Sequence, residues 1–181
     1  MIAENRHLPH DWFPQPLPGN VCIGSGSWLY SSFAFLHYRS RRPCGVRIGE
    51  HTGIYNGTFF DLGYDGEVDI GNYCTLVGAV VAVNCRVAIE NYVFIAHEVT
   101  IADRIAPIPP GTDGNPPVDR HAEIIIGEGA WIGTRAILLP GARIGPDAVV
   151  GAASVVYGEV PAGSVVAGNP ARRIKLISAS D

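Results

Sequence analysis

Residues 126–156 read IGEGAWIGTRAILLPGARIGPDAVVGAASVV, and a large aliphatic residue returns at every sixth place: Ile126, Ile132, Leu138, Ile144, Val150 and Val156. The fifth place of each unit repeats too, as Ala130, Ala136, Ala142, Ala148, Ser154 and Val160. Gly, Asp and Pro gather between them. In an extended strand successive side chains point to opposite faces, so the first and fifth places point the same way and the remaining two residues make a corner. Three such units close one triangular coil, and stacked coils make a parallel β-helix. An α-helix is excluded because aliphatics six apart do not line one face at 3.6 residues per turn, and interior glycines each cost about 1 kcal/mol. Disorder is excluded by the regular apolar ladder itself.

Toward the N-terminus the same frame fits Val77, Val83, Ile89, Ile95 and Ile101, then Ile48 and Ile54, and in degenerate form Ile23, Leu29 and Phe35. The β-helix domain is therefore predicted over 21–176. Open coil edges need cover, and residues 1–20, with His10, Trp12, Phe13 and the prolines from Pro9 to Pro18, are predicted to cap the first one. Residues 177–181 are a short tail. The frame slips at 61–67, which reads as a loop with Gly63 and Gly66, and breaks at 102–123, where Pro107, Pro109, Pro110, Pro116 and Pro117 forbid regular pairing. An extruded loop of that length inside a solenoid points to function.

The 181 residues suffice for one domain. Thirteen basic against seventeen acidic residues give a net charge of -4, which excludes a chain that grips nucleic acid or an anionic membrane by bulk charge. Residues 1–15 carry no leader-like or spanning apolar run, so the expected setting is cytoplasmic. The four cysteines, Cys22, Cys44, Cys74 and Cys85, form no CxxC pair and are predicted to be reduced thiols packed as small hydrophobes. The 22 glycines and 14 prolines sit among aliphatics, which means tight turns around an apolar core.

The stretch 126–156, followed by VPAGSVVAGNPARRIK at 160–175, resembles the hexapeptide-repeat acyltransferases, most closely the sugar and xenobiotic O-acetyltransferases, over roughly residues 70–176. The resemblance implies an all-β, left-handed parallel β-helix, a homotrimer with active sites in grooves between subunits, acetyl-CoA as co-substrate, and a small-molecule acceptor such as a sugar or nucleotide-sugar. Carried over by position, it implies coenzyme contacts at Trp131, Gly133, Thr134, Ala152, Arg172 and Lys175. Small residues let backbone approach a ligand closely, and Arg matches phosphate oxygens with paired donors. One departure is Tyr157-Gly158, where many relatives carry Thr-Lys.

Acyl transfer from a thioester needs a base for the acceptor's proton. The O-acetyltransferases of the family place a histidine at the start of the loop, about where Asp103-Arg104-Ile105-Ala106 stands here, and residues 98–120 contain none. Ile95-Ala96-His97-Glu98 instead resembles the corner that carries the base in lipid A acyltransferases and nucleotide-sugar N-acetyltransferases. His97 is thus the predicted base, with Glu98 beside it to raise its basicity and fix its tautomer. His121 and His51 are weaker candidates, and the aromatic residues Phe59, Phe60 and Tyr64 are candidates to stack on a sugar ring. Two other readings stay open. His97 also resembles a ligand of the γ-type carbonic anhydrases, although their next histidine falls at Ala102, and no metal site is assigned. The chain also fits a catalytically degenerate trimeric scaffold, against which stands the coenzyme-like tail Asn169-Pro170-Ala171-Arg172.

Overall fold

The structure, a computed structural model, describes residues 6–104 and 122–177. Three faces enclose one apolar core. A seven-stranded face runs from Val21–Ile23 to Glu159–Val160, an eight-stranded face from Trp28–Leu29 to Arg172–Leu176, and a five-stranded face from Phe59–Leu62 to Val155–Val156. Successive strands of the chain pass from face to face, so hydrogen-bonded neighbours within a face come from successive coils. The register keeps like places together: Ile95 lies against Ile132, and Ile132 against Val150.

The inward ladder is the predicted one in the C-terminal half. Ile126, Ile132, Leu138, Ile144, Val150 and Val156 are buried, as are Ala130, Ala136, Ala142, Ala148, Ser154 and Val160. Burying each large aliphatic contributes about 1.5–3 kcal/mol of transfer free energy, while the small fifth-place residues let the chain turn without crowding the triangle's interior.

The N-terminal half departs from the frame in three places. Val77 is only half-buried; Leu76 fills the core instead, aligned with Ile54 and Ile95. Since Leu76 pairs with Ile95 and Val81 with Ile101, the corner after Leu76 is one residue shorter than the corner above it. The slip at 61–67 is not simply a loop: Phe59–Leu62 and Glu67–Ile70 are four-residue strands that bury Phe60, Leu62, Val68 and Ile70 around a turn at 63–66. The next coil repeats this wider corner with Val80–Val83 and Arg86–Ile89. Phe35 belongs to a 3-10 helix, Ser32–Phe35, rather than a strand, and its ring stacks on Phe60 with centroids 5.1 Å apart.

The segment before Val21 is tied to the first coil through Asp11, whose carboxylate accepts from Ser31 Oγ at 2.7 Å and from the Ser32 amide at 2.6 Å. Leu8 and Leu17 are buried beneath it. At the other end Arg172–Leu176 folds back antiparallel on Ser164–Ala167, a pairing that the hexad pattern does not announce. Of the predicted loop, the roots are described: Thr100–Ala102 is a strand, Asp103 and Ala122 are buried, and Ile124–Ile126 resumes the coil. Residues 105–121 lie outside the described residues. Cys74 and Cys85 are buried as predicted, but Cys22 is exposed and Cys44 only half-buried, so those two do not pack as core hydrophobes. Among the described residues no helix is long and apolar enough to cross a membrane.

Candidate functional site

The corner joining the eight-stranded face to the five-stranded face stacks Gly78, His97–Glu98, Thr134–Arg135 and Ala152–Ala153 over one another in successive coils. Backbone hydrogen bonds fix the column: the Glu98 amide donates to Gly78 O at 3.0 Å, Arg135 to His97 O at 2.9 Å, and Ala153 to Thr134 O at 2.9 Å. Above them the Gly168 amide donates to Ser154 Oγ at 3.1 Å. Glu98, Arg135 and Ala153 all take positive φ, at 58°, 61° and 55°. A left-handed residue with a Cβ costs about 1–2 kcal/mol, and here the coils on either side hold it.

Three predicted residues, His97, Thr134 and Ala152, thus share one edge. With coils about 4.8 Å apart, His97 and Ala152 are separated by roughly 10 Å along it. Trp131 lies on the adjoining eight-stranded face with its ring exposed and edge-on to Phe94, centroids 6.1 Å apart. Arg172 and Lys175 come from the returning strand, opposite Ala167 and Val165, and are exposed at the C-terminal end of the same face. Gly133 has a packing reason to be glycine, besides the expected approach of a ligand. A Cβ there would stand 2.7 Å from Ala152 N and 2.8 Å from Val150 O, so the next coil requires the glycine.

Glu98 does not serve His97 alone, as the sequence suggests. Its Oε2 accepts from Arg135 Nε at 2.6 Å, and that hydrogen bond and charge, with a smaller contribution from His97, hold the Glu98 carboxyl below the usual carboxylate range. Arg135 is the residue that sequence reasoning missed. The available signal was its place one coil above Glu98 in the hexad frame, which the break in that frame over 102–123 obscures.

The other candidates fall elsewhere. His51 stacks on Tyr73 at the corner between the seven- and eight-stranded faces, centroids 5.2 Å apart. His121 lies outside the described residues. Asp103, which stands where the sequence resemblance leads to the expectation of a base, is buried, and its Oδ2 accepts from the Asn84 amide at 2.6 Å and from the Cys85 amide. Burial pushes its carboxyl up while those amides pull it down. Phe60 is core, Phe59 packs on Phe33 with centroids 5.2 Å apart, and Tyr64 lies 3.9 Å under the Arg41 guanidinium, so these aromatic residues are already engaged.

On the N-terminal side of His97 the corner is one residue shorter and carries Gly78, which has no side chain. Beyond it Trp12, Tyr30, Tyr55 and Asn56 line a small recess of about 30 Å³. The edge therefore offers an exposed imidazole, a track of small residues leading away in one direction to two cations, and a group of exposed aromatic residues in the other. That arrangement suits a long anionic ligand on one side of the imidazole and a small, partly apolar one on the other.

The profile of the family described as "Bacterial transferase hexapeptide (six repeats)" matches residues 123–158. The chain is 27% identical over 152 residues to a putative acetyltransferase, YvoF, of Bacillus subtilis, covering 84% of this chain and 67% of that protein. It is 30% identical over 135 residues to the galactoside O-acetyltransferase of Escherichia coli, covering 74% of this chain and 65% of the relative. Among solved structures, a galactoside acetyltransferase in complex with coenzyme A superposes with a TM-score of 0.59 at 23% identity, over 88% of this chain and 66% of the other.

Proposed function

Because the chain belongs to the hexapeptide-repeat acyltransferases, left-handed β-helices in fold, we propose that it transfers an acetyl group from acetyl-CoA to a hydroxyl or amino group of a sugar-like acceptor. The observation that carries this reading is the single edge that aligns His97, Thr134 and Ala152 and points toward Arg172 and Lys175. Arg172 and Lys175 hold the coenzyme's phosphates at the C-terminal end by charge-assisted hydrogen bonds. Thr134 and Ala152 admit the extended arm close to backbone, with Trp131 flanking it. The thioester then reaches His97. His97 takes the acceptor's proton as its oxygen or nitrogen attacks the thioester carbonyl, and returns a proton to the departing coenzyme thiolate. Glu98 and Arg135, locked to one another, frame the imidazole.

The acceptor lies on the N-terminal side of His97, past Gly78, over the water-sized recess there rather than inside it. Tyr55, Tyr30 and Trp12 offer ring faces and Asn56 an amide, a mixture suited to a sugar, which has apolar faces and a hydroxylated rim. The names of the galactoside and maltose O-acetyltransferases among the relatives agree with that class.

A homotrimer completes the groove. The eight-stranded face exposes Trp28, Phe94 and Trp131 with Tyr73 and Tyr92 at its margin, an apolar surface suited to burial by a second copy. The seven-stranded face is unlike it: Arg47, Asp69, Arg86 and Glu123 form a ladder of ion pairs at 3.3, 2.8 and 2.8 Å.

The test is acceptor-dependent release of coenzyme thiol from acetyl-CoA, run against hexosides, amino sugars and aminodeoxy nucleotide-sugars, together with thermal shift on coenzyme A. Thiol release with one of these, and a melting temperature that rises with coenzyme A, support the reading. A chain that coenzyme A does not stabilise, and that releases no thiol with any acceptor, is a scaffold and ends it.

A further inference from the structure

The exposed cysteine pair of the first coil has a geometry that the acyl-transfer reading leaves unused. Cys44 Sγ donates to Cys22 Sγ across 2.9 Å. Cys22 is the middle residue of the strand Val21–Ile23 and is exposed, while Cys44 sits in the turn that leads into Val46–Ile48 and is half-buried. The sulfurs need to close by roughly 0.9 Å to reach a bonded distance of about 2.05 Å.

The backbone on both sides is already fixed. Asn20 Nδ2 donates to Ser40 O at 3.0 Å and to Arg42 O at 2.8 Å, and the Gly45 amide donates to Asn20 O at 2.9 Å. The turn that carries Cys44 is therefore clipped to the chain just before Cys22, and bond formation needs side-chain rotation rather than refolding. The other two cysteines are buried in separate places: Cys74 Sγ donates to Glu90 O at 3.0 Å. They serve as internal controls.

We infer that Cys22 and Cys44 form a reversible intramolecular disulfide that staples the first coil when the surrounding thiol pool becomes oxidising. The oxidant is a low-molecular-weight disulfide. Cys22, the exposed thiol, attacks it as thiolate, one sulfur leaves as a small thiolate, and Cys22 is left as a mixed disulfide. Cys44 then loses its proton and attacks the Cys22 sulfur, expelling the second small thiolate. The two protein thiols give up two electrons and two protons, and the small disulfide becomes two small thiols. Burial and the hydrogen bond to Cys22 push the Cys44 thiol up to about 11, against the pull of the Arg47 guanidinium. That holds for the reduced pair; both attacks run through a thiolate, so the exchange speeds up as pH rises.

What the bond would stabilise follows from its place. It closes the segment 22–44, which holds Trp28, Leu29 and the 3-10 helix Ser32–Phe35, in a coil that has a neighbouring coil on one side only. Terminal repeats of a solenoid are the easiest to open, and a cross-link there removes chain entropy from the opened state.

The experiment equilibrates the full chain in glutathione buffers of increasing disulfide fraction, quenches with an alkylating agent, and reads intact mass, cross-linked peptides and melting temperature. The expected result is joint loss of the Cys22 and Cys44 thiols in one two-electron step with a Cys22–Cys44 linked peptide. Cys74 and Cys85 stay reduced, and the melting temperature rises by about 5–10 °C. Cys44→Ser should stop at the Cys22 glutathione adduct, whereas Cys22→Ser should leave Cys44 open to alkylation. A wild-type chain that stops at the Cys22 adduct, links Cys22 to another chain, or keeps both thiols at the most oxidising ratio overturns the inference. A linked pair with an unchanged melting temperature overturns the stapling.

Discussion

Arg135 Nε stands 2.6 Å from Glu98 Oε2, across one coil boundary and 37 residues apart in sequence. The carboxylate predicted to tune His97 is therefore committed to a guanidinium. Both side chains are largely exposed, at 63% for Glu98 and 70% for Arg135, so the pair is screened by water and adds little stability. Glu98→Gln is expected to leave the melting temperature nearly unchanged and lower turnover by less than about tenfold, far less than loss of a base. Since the Glu98 carboxyl is depressed in the fold, whatever it stabilises is present above the ordinary Glu value of about 4.3 and is lost as pH falls through the folded value. Any difference in melting between wild type and Glu98→Gln should shrink on acidification in that range and in high salt. A difference that grows on acidification would contradict the pairing.

Gly133→Ala separates a packing role from a ligand role. The new Cβ meets backbone atoms of the next coil at 2.7 and 2.8 Å, and neither can move aside alone. The expected cost is about 1–3 kcal/mol in denaturant unfolding. Gly19→Ala is the control, since nothing lies within 4 Å of its Cβ position, and it should be neutral or slightly stabilising. If Gly133→Ala kept full stability and lost only coenzyme affinity, the glycine would belong to the ligand after all.

The part of the fold that was legible in the sequence is the part where one residue type repeats at one place. From Ile126 to Val156 each aliphatic meets its like in the next coil, so local pattern and tertiary contact carry the same information. Val77 misled because two aliphatics, Leu76 and Val77, stand side by side, and a one-residue deletion in the corner decides which points inward. The 3-10 helix at Ser32–Phe35 seats Phe35 on Phe60, a contact that no local pattern encodes. His97, Thr134 and Ala152 were each expected in one groove from the family resemblance, and the structure brings the three to one edge. The Glu98–Arg135 pair was not foreseen, because the hexad frame breaks between the two residues and no motif marks them as neighbours, and Cys22 and Cys44 approach one another through a turn outside the hexad frame.

Asp103 gives a pH signature opposite to that of Glu98. Burial raises its folded value above the unfolded one of about 3.9, so the folded chain binds the extra proton, and stability falls as pH rises from about 4 through the folded value. Asp103→Asn should flatten that part of the stability profile while keeping one acceptor oxygen. Asp103→Leu leaves the Asn84 amide without this acceptor and should cost about 1–3 kcal/mol at every pH. Urea unfolding from pH 4 to pH 8 distinguishes the two variants, and identical pH slopes in wild type and Asp103→Asn would remove Asp103 from the linkage.

His97 decides whether the shared edge is catalytic. It is exposed at the corner between the coils of Gly78 and Thr134, and its carbonyl is occupied by the Arg135 amide at 2.9 Å, so the backbone is held while the imidazole faces outward. His97→Asn keeps size and hydrogen bonding but cannot take up a proton near neutral pH. With an acceptor in hand, turnover should fall by roughly a hundred-fold to ten-thousand-fold, the range for losing a general base. The dissociation constant for coenzyme A should hardly change, because the cations proposed to bind it, Arg172 and Lys175, lie at the far end of the face. Arg172→Ala should do the reverse, weakening coenzyme A severalfold or more while leaving turnover at saturation near wild type. A His97→Asn protein that turns over at the wild-type rate places the base elsewhere, and His121 is then the next residue to change.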